Sequence, residues 1–379
     1  MSDLHCRLSG SPTESILEVG ATRIPPLNHP IQALLSLFSA RQPHADALLL
    51  PGDLTNRACR EGLNQGWDFA IEVARSLGTE KVIPVLGNHD VDSRRSRPDR
   101  DAFYDVRNLR PGFPFKDEDA CRMYFSEGFC IEQIGEFTQV IAINTVIDHH
   151  NEQTAQQGGF DDGRVHRLSE FLKAAQVRPI RIAVMHHHPI LHSGPFNKDL
   201  DVIQNGDKMI KVLRENGCRL VVHGHKHLAR LSMSDGVAVF ASGSFSANLG
   251  IFASSMANMF HFAEIEELNG HVRGRIETWV FHYGTGWGRA NPAHSGFCFS
   301  TGFGAIEHVD RIAALLVDLA VSSPSLDRFP NEQVLAAVPD FAYLTPAEVS
   351  ALEIPLRAEK LQLLDGNEGV AELWRLSGS

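Results

Sequence analysis

Residues 81–90 read KVIPVLGNHD, an apolar, β-rich run that stops at a glycine and passes directly into Asn88, His89 and Asp90. Its length and residue types are those of a buried strand. The glycine permits a tight turn and close backbone approach, so three polar side chains are delivered together at the strand's carboxyl end. In sheets flanked by helices, that end is where ligands gather.

Reading outward, the pattern recurs. DALLLPGD (46–53), TQVIAINT (138–145), IRIAVMHHHP (180–189), CRLVVHGHKH (218–227) and VAVFASGS (237–244) are further strands, followed by FHFAEIEEL (260–268) and VRGRIETWVFHY (272–283). Between them IQALLSLFSA (31–40), residues 61–77, GRVHRLSEFLKAA (163–175) and DKMIKVLREN (207–216) space their apolar residues as helices do. The alternation predicts an α/β domain of layered sheets over residues 1–285. A Gly-rich stretch then leads into IEHVDRIAALLVDLA (306–320), EQVLAAV (332–338), PAEVSALE (346–353) and PLRAEKLQLL (355–364). Residues 286–379 therefore read as a linker and a small C-terminal helical appendage without legible chemistry.

Five polar fragments stand in order at strand ends: Asp3-Leu4-His5, Gly52-Asp53, Gly87-Asn88-His89-Asp90, His186-His187-His188-Pro189 and Gly224-His225-Lys226-His227. Asp-x-His and Gly-Asp are each common, and a Gly-Asp pair is usually a turn. All five together point to one site. On an extended backbone Asp3 and His5 share a side, as do His225 and His227, so each pair can reach one point. The donor types are Asp, His and Asn without Cys, which suits manganese, iron, cobalt, nickel or zinc rather than a thiolate zinc site. The set is too large for one catalytic ion with an open position, and suits two ions sharing a carboxylate.

These fragments resemble the motifs of the calcineurin-like metallophosphoesterases, and within them the bacterial cyclic-nucleotide and glycerophosphodiester phosphodiesterases, over about residues 1–283. The resemblance implies a four-layer α/β/β/α sandwich and two divalent metal ions (Mn, Fe, Zn, Co or Ni). Asp3, His5, Asp53 and His227 would hold one ion. Asp53, Asn88, His187 and His225 would hold the other, with Asp53 bridging and His187 chosen because the family pattern puts the ligand two residues before the proline. His89 would act as an acid near the leaving group, and Asp90 would either orient it or support the ligand residues from behind. The implied reaction is hydrolysis of a phosphodiester, a cyclic nucleotide among the candidates, by in-line attack of a metal-bridging hydroxide, with His89, Asp53 and Asn88 as the catalytic residues. In the family Asp-x-His ends the first core strand. Only Met1 and Ser2 precede it here, so that strand reads as truncated and the pair as poorly preorganised; either the frame continues upstream, which is the expectation, or the first metal site is weakened.

Substrate selection is sought in residues 91–116, where Arg94, Arg95, Arg97, Arg100, Arg107 and Arg110 follow the Asn88 loop. They read either as a phosphate-binding lid, with Phe103 or Tyr104 to stack a base, or as a solvated surface offset by Asp92, Asp99, Asp101 and Asp105. Arg94, Arg95 and His192 are the expected substrate contacts. His186, His188, His149, His150 and His223 read as packed or solvated. A formal charge of −11 disfavours a nuclease without excluding it, and no apolar run is long enough to span a bilayer. Six scattered cysteines in a chain of 379 residues read as free thiols in a reducing compartment. The expectation is a cytoplasmic enzyme acting on a small phosphodiester or nucleotide, apart from membranes, with homo-oligomerisation left open. A scaffold without catalysis is the competing class, and the retention of every ligand position counts against it.

Overall fold

The structure, a computed structural model, describes residues 1–8, 15–19, 25–94, 96–110, 112–151, 154–155, 157–191, 202–247, 257–291, 297–365 and 371–376. In chain order its first part carries β1 (Arg7–Leu8), β2 (Glu18–Val19), α1 (Pro30–Arg41), β3 (Leu48–Leu50), α2 (Arg60–Ser76), β4 (Val82–Pro84), α3 (Tyr104–Asn108), α4 (Glu118–Ser126), β5 (Phe129–Ile134), β6 (Thr138–Ile143), α5 (Asp162–Ala174), β7 (Ile180–Val184), α6 (Gly206–Glu215), β8 (Cys218–His223), β9 (Ala229–Ser234) and β10 (Val237–Ser242). Uninterrupted apolar runs become the central strands. The six-stranded sheet has the order β5-β6-β7-β8-β10-β9, parallel from β6 through β7 and β8 to β10, with antiparallel edges. Every residue of β7 is buried, as a parallel strand covered on both faces requires.

Amphipathic α5 and α6 cover one face of this sheet. Val165, Leu168 and Leu172 from α5 and Met209, Ile210 and Leu213 from α6 pack against Ile141, Ala183, Met185, Val221 and Val239. Parallel pairs β3–β4 and β1–β2 form the other strand layer, and α2 packs on α1 as well as on β1, β2 and β4. This is the α/β layering expected. Three loops converge where β3, β4 and β8 end, and they carry Gly52-Asp53, Gly87-Asn88-His89-Asp90 and Gly224-His225.

The chain divides into two compact units, Met1–Phe260 with Val280–Gly288, and His261–Trp279 with Arg289–Ser379. The division therefore differs from the expected 1–285 and 286–379. The next strands are β11 (Met259–Leu268), β12 (His271–His282), β13 (Gly286–Arg289) and β14 (Ser300–Phe303). Asn269 and Gly270, both with positive φ, form the tight turn between β11 and β12. Because β12 pairs antiparallel with β14 through Gly274–Phe303 to Glu277–Ser300, most of the hairpin clusters with the C-terminal residues.

The second unit contains the expected helices α7 (Val309–Ser322), α8 (Asn331–Ala337), α9 (Pro346–Ala351) and α10 (Glu353–Ala358). It also contains β15 (Arg328–Phe329), β16 (Leu361–Asp365) and β17 (Ala371–Arg375), an antiparallel sheet of order β15-β17-β16. The appendage is thus mixed rather than purely helical. Ile312, Leu316, Phe329, Val334, Leu352, Leu356, Leu361 and Leu373 form its own core.

Candidate metal centre

Asp3 and His5 lie in a segment held from two sides. Asp3, His5 and Cys6 donate their N–H groups to the carbonyls of Gly52, Asp53 and Leu54 at 3.0, 2.9 and 3.0 Å. Opposite, Phe245 N–H donates to the Ser2 carbonyl (2.7 Å), Ser244 Oγ to the Asp3 carbonyl (2.8 Å), and Ser246 Oγ to the Leu4 carbonyl. Asp3, Leu4 and His5 are buried. The expectation of a poorly held pair is therefore corrected, because side-by-side backbone hydrogen bonds do the work of a strand although none is assigned to residues 1–5.

The convergence of each pair also has a different cause from the one expected. Asp3, His5, Asp53, His225 and His227 have φ of 54, 47, 54, 77 and 56°. They sit in the left-handed region, which disfavours side-chain-bearing residues and is tolerated where surrounding structure imposes it. The pairs meet through sharp loop turns rather than through the pleat of a strand.

Two donor sets result. In the first, His5 Nε2 and His227 Nε2 are 3.0 Å apart, with Asp3 Oδ1 at 3.8 and 3.4 Å from them. In the second, His186 Nε2, Asn88 Oδ1 and His225 Nδ1 are mutually 3.0 to 3.2 Å apart. One oxygen joins them: Asp53 Oδ2 lies 3.5 Å from His5 Nε2 and 3.4 Å from His186 Nε2. Metal bonds of about 2.0–2.2 Å at tetrahedral or octahedral angles place neighbouring ligand atoms roughly 3.0–3.5 Å apart, so both sets fit a divalent ion.

The second set corrects the choice among the three histidines. His186, rather than His187, comes within 3.0 to 3.4 Å of Asp53 Oδ2, Asn88 Oδ1 and His225 Nδ1. The strand explains why: Met185 points into the α5/α6 core, so the next residue turns to the opposite face. His186 Nδ1–H donates to the Pro51 carbonyl at 2.8 Å, leaving the Nε2 lone pair for a metal. His187 Nδ1 instead lies 2.9 Å from Thr145 Oγ1.

Of the two roles expected for Asp90, the structure shows support of the ligand loops and, among the described residues, no hydrogen bond to the His89 ring. Its carboxylate accepts the N–H groups of Asp53 (2.9 Å), Gly87 (2.9 Å) and Thr55 (3.0 Å), clamping the two ligand loops together. The ring is held by residues that the motifs did not reveal: His89 Nδ1 lies 2.9 Å from Asn56 Oδ1 and 3.3 Å from the Arg57 backbone nitrogen. His89 N–H donates to Asp53 Oδ1 at 2.8 Å, which aims Oδ2 between the two donor sets.

The electrostatics call for a cation. Burial, then the charges of Asp3 and Asp90, push the Asp53 carboxyl well above its usual range. Burial opposes ionisation of Asp3 too, but hydrogen bonds to His227 and His5 bring it well below that range. Burial lowers His186 to about 4 and takes His89 and His225 well below the ordinary imidazole value, so their rings are neutral. None of the hydrogen bonds or ion pairs among the described residues joins an Arg or Lys side chain to Asp3, Asp53, Asn88, His89, His186 or His225. Buried carboxylates and neutral imidazoles with no protein cation are the donor chemistry of a metal site.

The expected substrate contacts fare differently. Arg94 is exposed, while Arg95 and His192 lie outside the described residues. Arg97 pairs with Asp105 at 2.6 Å and Arg107 with Asp101 at 2.6 Å, and Arg100 reaches Asp99 and Asp105. The neighbouring arginines are thus largely engaged within their own segment. Phe103 is buried, and Tyr104 is exposed with the Arg100 guanidinium 4.7 Å from its ring centroid.

Fold and donors define a class: an α/β protein whose loops present two metal-binding sets joined by one carboxylate. The model of the calcineurin-like phosphoesterase family matches residues 1–229, and the chain belongs to that family, whose members hydrolyse phosphoric esters at a centre of two divalent metal ions. Among solved structures the chain is similar to a dimetal phosphatase from Danio rerio (13% identity, 75% of this chain and 97% of that one, TM-score 0.44). It is similar also to a purple acid phosphatase from seeds of yellow lupin, Lupinus luteus (12% identity, 66% and 47% covered, TM-score 0.45). A third is vacuolar protein sorting 29 from Cryptosporidium parvum (12% identity, 80% and 95% covered, TM-score 0.34). No curated protein matches the sequence. Among the described residues no helix is long and apolar enough to cross a membrane.

Proposed function

We propose that the chain is a phosphodiesterase acting on a small phosphodiester, a cyclic nucleotide among the candidates, with Asp53 joining two metal positions. The observation that carries this reading is the placement of Asp53 Oδ2 within 3.5 Å of one imidazole from each donor set. Asp3, His5, His227 and Asp53 would hold one ion, and Asp53, Asn88, His186 and His225 the other. Manganese, iron, zinc, cobalt and nickel all suit these donors. Two such ions supply positive charge to the phosphate oxygens and lower the pKa of water, which activates the nucleophile of an in-line displacement.

The protein's own groups do the rest. Asn88, His89, His225 and His227 are only partly buried and form the open side, so substrate would enter there. His89, on the open side and held at Nδ1 by Asn56 and Arg57, would serve the departing oxygen as proton donor. Asp90 keeps the Asp53 and Gly87 loops in register. The diester preference is supported by the charge at Asp3, Asp53, Asn88, His186 and His225, which among the described residues meet no Arg or Lys side chain, since a monoanionic diester needs less compensating charge than a dianionic monoester. Six free thiols support a reducing, cytoplasmic setting.

The test is hydrolysis of bis-p-nitrophenyl phosphate and p-nitrophenyl phosphate by the manganese-loaded chain. The diester is expected to turn over faster, and Asp53→Ala to abolish activity together with bound metal. A full-rate Asp53→Ala enzyme would sink the reading. Faster monoester hydrolysis would replace it with a phosphatase, and cleavage of single-stranded DNA alone with a nuclease.

A further inference from the structure

His187 is fully buried next to His186, and the two rings are fixed by different kinds of partner. The Pro51 carbonyl that meets His186 Nδ1 can only accept, so that ring keeps its proton on Nδ1. Thr145 Oγ1, which meets His187 Nδ1 at 2.9 Å, is a hydroxyl that can donate or accept. The same oxygen already accepts the His187 backbone N–H at 3.3 Å. Thr145 is fully buried, and among the described residues its hydroxyl proton has no acceptor other than His187 Nδ1. A buried hydroxyl left without an acceptor is costly, so the hydroxyl donates to Nδ1 and the His187 proton resides on Nε2.

That Nε2 is buried and has no hydrogen-bond partner among the described residues. It belongs to a ring whose centroid is 4.5 Å from that of His225 and 5.0 Å from that of His186, and one nitrogen from each of the three rings lies within 4.8 Å of the others. Gly158 makes this placement feasible, because a Cβ there would meet His187 Cβ at 2.7 Å. The His187 ring therefore stands beside the second donor set, where a protonated Nε2 would not compete for its metal.

We propose that His187 is a hydrogen-bond donor, not a metal ligand, and that its Nε2–H binds a phosphate oxygen presented at the His186/Asn88/His225 side of the site, with Thr145 setting its tautomer. The proposal rests on the metal-dependent phosphoesterase reading and adds a phosphate-positioning pair, Thr145 and His187, to it. It also assigns the two adjacent histidines opposite roles: a lone pair toward the metal at His186, a proton toward the substrate at His187.

The test combines metal content with calorimetric titration of inorganic phosphate into the manganese-loaded full chain. His186→Ala is expected to lose one ion per chain. His187→Ala should keep two ions but bind phosphate roughly 10- to 100-fold more weakly, the range of a hydrogen bond to a charged group. His187→Gln, whose amide N–H can replace Nε2–H, should recover much of the loss. Thr145→Val, nearly isosteric, should weaken phosphate binding at unchanged metal content, and Thr145→Ser should restore it, which keeps the proposal testable if His187→Ala fails to fold. Loss of one ion from His187→Ala would make His187 a ligand and overturn the proposal. So would full metal content with unchanged phosphate affinity in both His187→Ala and Thr145→Val. A wild-type chain that binds neither manganese nor phosphate would instead remove the underlying enzyme reading, and the proposal with it.

Discussion

His149 shows what an imidazole-rich interior demands at the residue scale. The ring is buried, its Nε2 bonds the Gln157 carbonyl at 2.8 Å, and burial lowers its pKa to about 4. An unfolded histidine titrates near pH ~6.5, so the folded state resists protonation. The stability linked to the neutral ring is therefore fully present above about pH 6.5 and is lost as pH falls toward 4. The shift corresponds to about 3 kcal/mol at most. In chelator-treated protein, thermal unfolding from pH 7 to pH 4 should show the wild type losing more stability than His149→Gln, which keeps a donor for Gln157 but does not titrate. Parallel losses would mean that His149 is not a source of the acid sensitivity. The same scale shows where sequence reading stopped. Three consecutive histidines follow a strand buried on both faces, so no alternation of polar and apolar residues indicates which of them faces the metals. Asn56 and Thr145 gave no signal because each acts through a neighbour's ring rather than through a motif.

At the scale of elements, the ligand loops are built around close backbone approaches. A Cβ on Gly87 would collide with the carboxylate and backbone N–H of Asp53, and one on Gly224 with the Asp3 carboxylate and the Ser2 hydroxyl. Gly87→Ala should therefore displace the joining carboxylate while leaving the six-stranded sheet and its helices in place. The expected result is manganese content below one ion per chain with unchanged far-ultraviolet circular dichroism; two ions retained would show that the loop can yield. The glycines were legible in the sequence, as were the strands that precede them. The left-handed conformation of Asp3, His5, Asp53, His225 and His227 was not, since nothing in those residue types announces it. Nor did the sequence mark the serines that support the first loop, because Ser242, Ser244 and Ser246 look like ordinary small-residue packing until their partners are known. Two of them bind carbonyls of the Asp3-Leu4-His5 segment.

Across the whole molecule, the layered α/β order followed from the alternation of apolar runs and helical spacing, and it survives in the structure. The second unit was less legible. PLRAEKLQLL keeps helical spacing throughout, but α10 ends at Ala358, Lys360 turns with φ of 58°, and the chain continues as β16. No glycine or proline marks that change. The unit boundary was placed at the Gly-rich loop, whereas β12 commits most of its hairpin to β14 by pairing with residues distant in sequence. The central claim is that one carboxylate oxygen joins two metal positions, with His186 as the imidazole of the second. Anomalous X-ray scattering from manganese-loaded crystals tests it most directly. The account predicts two peaks flanking Asp53 Oδ2, one among Asp3, His5 and His227, the other among Asn88, His186 and His225. A single peak, or a second peak coordinated by His187 in place of His186, would contradict it.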